Sequence, residues 1–265
     1  MLGRLSGKTC MVTGASRGIG ASIADALLSE GGNVVYADLD KDVASFAEKA
    51  KDRIPGQAGR AIGVKLDVTD RKQVRAGIEG AVKEFGALHV MFNNAGINRP
   101  MNFLDVTEDN WNLIMKVNGL GVLIGMQEAA KQMIAQGTGG KIINTASIAG
   151  RQGYDNIAPY CASKFSVISL TQSGARALAK HNITVNSFSP GVVATPLWEQ
   201  LDKDLMAIGA SQRPGQAMSE FSAGILRGRA ATPEDITGTT TFLAAADSDY
   251  MTGQNISIDG GMVLV

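Results

Sequence analysis

Cysteine and histidine are nearly missing from this chain, at two of each in 265 residues. Cys10 and Cys161 are too few for a disulfide framework, so a reduced state in a cytosolic setting is expected. His89 and His181 stand apart, with no second ligand at zinc-like spacing, and no metal site is expected. An excess of either charge is also missing. The 25 Lys and Arg balance 25 Asp and Glu, and without a basic surplus or a dense run neither nucleic acid nor an anionic membrane is an expected partner. No apolar run reaches membrane-spanning length. The stretch from Met1 to Lys8 lacks the apolar core of a signal peptide. The expectation is a cytoplasmic protein. No linker or low-complexity segment interrupts the chain, which predicts one domain over residues 1–265.

What the chain does have is apolar residues (45%) and glycine (32 residues), arranged as short β-prone runs alternating with helical patterns. Strands are predicted over Lys8–Thr13, Asn33–Ala37, Ala61–Leu66, Leu88–Phe92, Lys141–Thr145, Ile183–Phe188 and Asn255–Ile258. Helices are predicted after the first glycine cluster, over Lys41–Arg53 with Pro55 as breaker, and over Asp70–Phe85. Further helices are predicted from Thr107 through Met133 without interruption, from Tyr160 to about Lys180, and from Pro233 to about Ala246. This alternation predicts an α/β fold, a parallel sheet covered on both faces. Residues 195–229 differ in texture, being mixed polar with Pro214 and Gly215 inside and no clean period.

Chemistry concentrates where strands end. Gly14, Gly18 and Gly20 lie where the first strand feeds a helix, a setting in which a pyrophosphate approaches backbone N–H groups at a helix N-terminus. Their spacing is Gly-x-x-x-Gly-x-Gly, which departs from the common dinucleotide fingerprint. Asp38, ending the second strand, suits the two hydroxyls of an adenosine ribose and repels a 2′-phosphate, which favours NAD over NADP. Arg17 is the counterweight, since a guanidinium there suits that phosphate. Asp67 and Val68 are candidates for an adenine edge, with a turn cap as the plainer reading. The amides of Asn93 and Asn94 suit bracing of adjacent strands, and Gly96 a close ligand approach. Asn118 is a polar amide in an apolar helix and needs partners; a structural bond to backbone or a role in holding water are both open.

Tyr160 and Lys164 are four residues apart on a predicted helix, so they share a face. A phenol is a poor base near neutrality, and an ammonium beside it favours the phenolate. With the Ser147 hydroxyl alongside, the group becomes a proton-transfer device for alcohol–carbonyl chemistry.

Thr13 to Gly20, Asn93 to Gly96, Asn118, Ser147, Tyr160 with Lys164, and Pro190-Gly191 occur in one order along the whole chain. Together they resemble the short-chain dehydrogenase/reductase family. The resemblance implies a Rossmann-type, doubly wound, seven-stranded parallel sheet in a single domain, with a helical substrate lid at about 195–229. It also implies an Asn118–Ser147–Tyr160–Lys164 site, with Tyr160 as general acid/base, Lys164 lowering its pKa and Asn118 holding a water. Cofactor contacts are carried onto Gly14, Ser16, Arg17, Gly18, Ile19, Gly20, Asp38, Asp67, Val68, Asn94, Ala95, Gly96, Pro190, Gly191, Val193 and Thr195, besides Tyr160 and Lys164. A homotetramer or dimer is the usual assembly. The stretches from Pro190 to Glu199 and from Ser248 to Met262 are similar to NAD-dependent polyol and acetoin/2,3-butanediol dehydrogenases, implying NAD and a small alcohol or ketone substrate. Substrate contacts are expected from Ser147, Gln152, Asn156 and Trp198, while Ile148 stands where a polar residue is common. An NADPH-dependent ketone or 3-oxoacyl reductase is the alternative, and a catalytically idle dinucleotide-binding protein a minor one.

Overall fold

Seven β-prone segments become seven parallel strands. The computed structural model describes residues 3–54, 56 and 59–264. The strands are β1 (Thr9–Thr13), β2 (Asn33–Asp38), β3 (Ala61–Lys65), β4 (Val90–Asn93), β5 (Gly140–Thr145), β6 (Ile183–Pro190) and β7 (Asn255–Ile258). They run in the order β3-β2-β1-β4-β5-β6-β7, each pair parallel. All five residues of β1 and all four of β4 are buried, as a strand covered on both faces requires.

Each crossover returns through helix. These are α1 (Gly18–Ser29), α2 (Val43–Glu48), α3 (Ala50–Arg53), α4 (Arg71–Phe85), α5 (Glu108–Met115), α6 (Gly121–Gln136), α7 (Ala158–Leu178), α8 (Pro196–Ala207), α9 (Gln216–Ser222) and α10 (Glu234–Ala244). One face of the sheet packs Ile23, Leu27 and Leu28 of α1 with Ile236 and Leu243 of α10 against Val12, Tyr36 and Phe92. The other packs Val74 and Ile78 of α4, Met126 and Met133 of α6 and Val167 of α7 against Met11, Met91 and Ile142. Glu128, with its side chain only 3% exposed, is held by Arg71 and Arg75 of α4 and Lys131 of its own helix, and so fastens α6 to α4. Strand order reverses between β1 and β4, which places a crevice outside the C-terminal ends of those strands.

Two expectations shift. The helix expected over Lys41–Arg53 is two pieces that meet at Lys49, and Val43 and Ala47 are buried; Pro55 lies outside the described residues. The helix expected without break from Thr107 to Met133 is interrupted by a π-helical turn over Lys116–Leu120. Its start is as read, with Thr107 Oγ1 accepting the N–H of Asn110 at 3.2 Å. Residues 195–229, which show no period in sequence, hold α8 and α9. Leu201 and Leu205 of α8 and Ala217 of α9 form a small third core with Ala149, Ile157 and Cys161, so the apolar pattern emerges only once the pieces meet. At the chain end, the Asp259 carboxylate accepts the N–H groups of Gly261 and Val263. Val263 is buried there, whereas Leu264 is exposed. Among the described residues no helix is long and apolar enough to cross a membrane.

Candidate active site

The turn after β1 is held open by backbone that a side chain would spoil. Gly14 has φ +66°, and a Cβ there would stand 2.9 Å from Ala95 Cα. Gly20 abuts the Gly14 carbonyl too closely for any Cβ. Thr13 Oγ1 accepts the N–H groups of Asn94 and Ala95, and Asn94 Nδ2 donates to the Thr13 carbonyl at 3.0 Å. The turns after β1 and β4 are thus stitched together, while Asn93 Nδ2 donates to Asn144 Oδ1 of β5 at 2.9 Å beneath them. Asp38 Oδ2 accepts the Ser16 N–H at 2.9 Å, so the end of β2 shapes the glycine turn directly.

Several features fit a nicotinamide dinucleotide. The cap of α1, Arg17, makes no side-chain bond to the helix, which leaves the first-turn N–H groups without a side-chain acceptor. Ser16 Oγ is buried and unpartnered. Arg17 is exposed, and Ile19 packs on the core below. Thr195, ahead of α8, faces Gly18, where an added Cβ would stand 3.5 Å from the Thr195 side chain. Ala194 and Ala231 carry the backbone bonds of the bridge at Val193, so Val193 turns its own N–H and carbonyl the other way. Pro190 ends β6, and Gly191 is packed on Asp259 with no space for a Cβ. Asp67 accepts the N–H of Thr69 at 2.8 Å, the turn-cap role. Val68 lies against Gly121.

The four residues expected to act together arrive from three elements. Ser147 follows β5, and its Oγ accepts the Ala149 N–H at 3.2 Å. Tyr160 and Lys164 lie on the first turns of α7, and Asn118 in the π-helical turn. Burial pushes the Tyr160 phenol up to about 12, with the Ser147 hydroxyl pulling the other way. Burial also brings the Lys164 ammonium down to about 8. Lys164 Nζ lies 5.6 Å from the Tyr160 ring centroid and donates to the Thr145 carbonyl at 2.7 Å. The lysine is therefore anchored to β5, and burial raises the phenol pKa, in contrast to the lowered pKa expected from sequence.

Asn118 is fully buried, and its amide is committed to protein. Oδ1 accepts the Ile97 N–H at 2.9 Å, while Nδ2 donates to the Ile97 carbonyl at 2.9 Å and to Ser163 Oγ at 3.1 Å. Ser163 in turn donates to the Tyr160 carbonyl at 2.7 Å. These bonds tie the segment after Gly96 to the Tyr160 helix. Ser163 was not singled out in the sequence. Its only signal there was a serine three residues beyond Tyr160, where a hydroxyl reaches back to its own helix.

Ser147 and Tyr160 line one cavity of about 260 Å³. Its walls are largely apolar, with Ile148 and Ile157 on one side and Trp198, Leu201, Leu205 and Phe221 from α8 and α9 over the other. Trp198 packs edge-on to Phe221 at 5.5 Å between centroids, and Tyr154 lies 5.6 Å from the same ring. Asn156 is in the lining, whereas Gln152 is exposed outside it and donates to Tyr154 Oη at 2.7 Å. Asn98, Tyr154 and Glu220 line the cavity as well, and sequence reasoning missed all three.

A doubly wound parallel sheet with these side chains gathered at its C-terminal edge defines a dinucleotide-dependent oxidoreductase. The chain belongs to the short-chain dehydrogenase/reductase family: residues 14–263 match the family description "Enoyl-(Acyl carrier protein) reductase". It is 40% identical over 256 residues to a diacetyl reductase [(S)-acetoin forming] of Staphylococcus epidermidis, covering 97% of this chain and 98% of that one. It is 42% identical over 258 residues to galactitol 2-dehydrogenase of Agrobacterium fabrum, with the same coverage of each chain. A crystal structure of a putative NAD(P)-dependent gluconate 5-dehydrogenase from Beutenbergia cavernae, with bound NADP at low occupancy, superposes with TM-score 0.84 at 31% identity over 97% of both chains.

Proposed function

We propose that this enzyme interconverts a secondary alcohol and its ketone with NAD(H), and that the substrate is a small polyol or vicinal diol. The observation that carries the proposal is the pairing of the Ser147 and Tyr160 hydroxyls in one 260 Å³ cavity. That volume suits a molecule of a few carbons and excludes a long acyl chain lying wholly inside it. The names of the diacetyl reductase and galactitol dehydrogenase relatives support the same substrate class.

The glycine turn from Gly14 to Gly20 and the open α1 terminus would hold the pyrophosphate, and Asp38 the adenosine ribose. Asp67 and Val68 would border the adenine, and Asn94, Ala95 and Gly96 the ribose path. Pro190, Gly191, Val193 and Thr195 would hold the nicotinamide end. Bound there, the cofactor supplies a hydride acceptor or donor. Ser147 holds the reacting oxygen, and Tyr160 takes the hydroxyl proton from an alcohol or returns it to a ketone. With a pKa pushed up to about 12, the phenol stays protonated at neutrality, the form that can give its proton to a ketone oxygen. Lys164, charged below about 8, is placed to favour the phenolate as the proton leaves. α8 and α9 act as the lid over the cavity. Assembly as a homo-oligomer belongs to the same reading, supported by the exposed apolar side chains of Trp111 on α5 and Phe165 on α7.

A second reading, use of NADP(H), rests on Arg17, which is exposed and makes no ion pair among the described residues. The Asp38 carboxylate opposes it. Initial rates with NAD and NADP against sorbitol, galactitol, xylitol and 2,3-butanediol, with acetoin and ketoses in reverse, test both. The expected result is turnover of one class with NAD, with oxidation accelerating as pH rises. Silence across the panel would overturn the substrate assignment, and preference for NADP would overturn the cofactor assignment.

A further inference from the structure

The wall of the cavity carries a carboxamide whose buried oxygen the protein leaves unsatisfied. Asn98 lines the same cavity as Ser147 and Tyr160, and its Oδ1 is buried without a hydrogen-bond partner. A buried polar group in that condition is destabilising unless something satisfies it, so its retention needs a cause.

The backbone on either side is held firmly. Asn118 binds both the N–H and the carbonyl of Ile97, each at 2.9 Å. Asn110 Nδ2 donates to the Arg99 carbonyl at 3.1 Å. Two amides from α5 and the turn behind it therefore clamp the residues flanking Asn98 and leave its own side chain facing a space it shares with the catalytic pair. Met101 N–H donates to the Asn156 carbonyl at 2.9 Å, which binds this segment to a polar residue of the lining just ahead of α7.

Much of the remaining wall is apolar, including Ile148, Ala149, Ile157, Val192 and Leu205, with Tyr154, Asp155, Asn156, Ser211 and Glu220 as its other polar members. A mono-alcohol would leave the Asn98 amide unsatisfied, whereas a second oxygen on the neighbouring carbon would meet it.

We infer that Asn98 is a specificity-determining residue that hydrogen-bonds the second oxygen of a vicinally oxygenated substrate, a 1,2-diol or an α-hydroxyketone. This rests on the alcohol–ketone reading above. A carboxamide suits the task because it offers a donor to a ketone or hydroxyl oxygen and an acceptor to a hydroxyl proton. Asn118 then acts through Asn98 as a positioning residue, besides its tie to Ser163.

The test compares 2,3-butanediol with 2-butanol, and acetoin with 2-butanone, in the full-length enzyme and in Asn98→Leu. The expected result is a fall of about 10- to 100-fold in kcat/KM for the doubly oxygenated compound, the equivalent of one hydrogen bond to a buried partner. The mono-oxygenated compound should change less than threefold or improve. Asn98→Ser, smaller and still polar, should give a partial loss of the same ratio, and it serves as the test if the leucine variant does not fold. Equal losses on both compounds, or an unchanged ratio in either variant, would overturn the role of Asn98 alone. If the unmodified enzyme turns over neither member of either pair nor any polyol of the panel above, the substrate assignment falls, and this inference with it.

Discussion

Replacing Lys164 by methionine should stabilise the protein while disabling it. The side chain is 4% exposed, and burial moves its pKa from the ordinary 10.5 to about 8. A tenfold change in proton affinity is worth about 1.4 kcal/mol, so keeping the ammonium charged at pH 7 costs about 3 kcal/mol relative to the unfolded chain. Methionine has nearly the same length and carries no charge, but it leaves the Thr145 carbonyl without the 2.7 Å bond from Nζ, a loss of about 1–2 kcal/mol. The net gain at pH 7 is about 1–2 kcal/mol, or roughly 2–6 °C in Tm for a chain of this size. The sign of the pH dependence separates charge from packing. Because the folded pKa lies below the unfolded one, the unfolded chain binds more protons between pH 8 and 10.5, and wild-type stability gains there as pH rises. The advantage of Lys164→Met should be full below pH 8, shrink by about 3 kcal/mol across that window, and end as a small deficit. Urea denaturation of both proteins at pH 7, 8, 9 and 10 reads the difference, and groups common to both cancel. A difference independent of pH would refute the argument, as would a variant less stable by 2 kcal/mol at pH 7.

Tyr160→Phe should lower kcat/KM in both directions by about 10²- to 10⁴-fold, the usual contribution of a placed acid/base. Dinucleotide affinity, read by fluorescence titration, should stay within threefold; retention of more than a tenth of the activity would remove Tyr160 from the chemistry. Asp38→Asn keeps an oxygen for the Ser16 N–H but removes the charge that repels a 2′-phosphate. The ratio of kcat/KM for NAD to that for NADP should fall at least about tenfold, the worth of one charge–phosphate contact, and an unchanged ratio would mean the ribose is read elsewhere.

Much of this protein is decided locally. Strand identity follows from runs such as Cys10-Met11-Val12, apolar enough to be buried on both faces. The glycine turn follows from residues whose missing Cβ is a local property, and Tyr160 meets Lys164 on one helix face because four residues make about one turn. Asp38, Asn94 and Ser147 are legible for a related reason: each lies at or just beyond a strand end, and parallel strands deliver all such ends to one edge.

Other features depend on what distant segments bring to a point, and no window of sequence holds that information. The Tyr160 phenol is pushed up, not down, because the depth of burial around it is a sum over many segments and the nearest ammonium is turned toward Thr145. Asn118 reaches Ile97, 21 residues away, and Ser163, 45 away, across a π-helical turn that the apolar period does not announce. The segment from 195 to 229 reads as aperiodic because Leu201, Leu205 and Ala217 bury themselves against Ile157 and Cys161 of other elements. Asn98 is an unremarkable polar residue in sequence. Only the fold clamps its neighbours, leaves its amide unpaired and turns it toward the catalytic cavity, because satisfaction of a hydrogen bond is a property of three-dimensional surroundings.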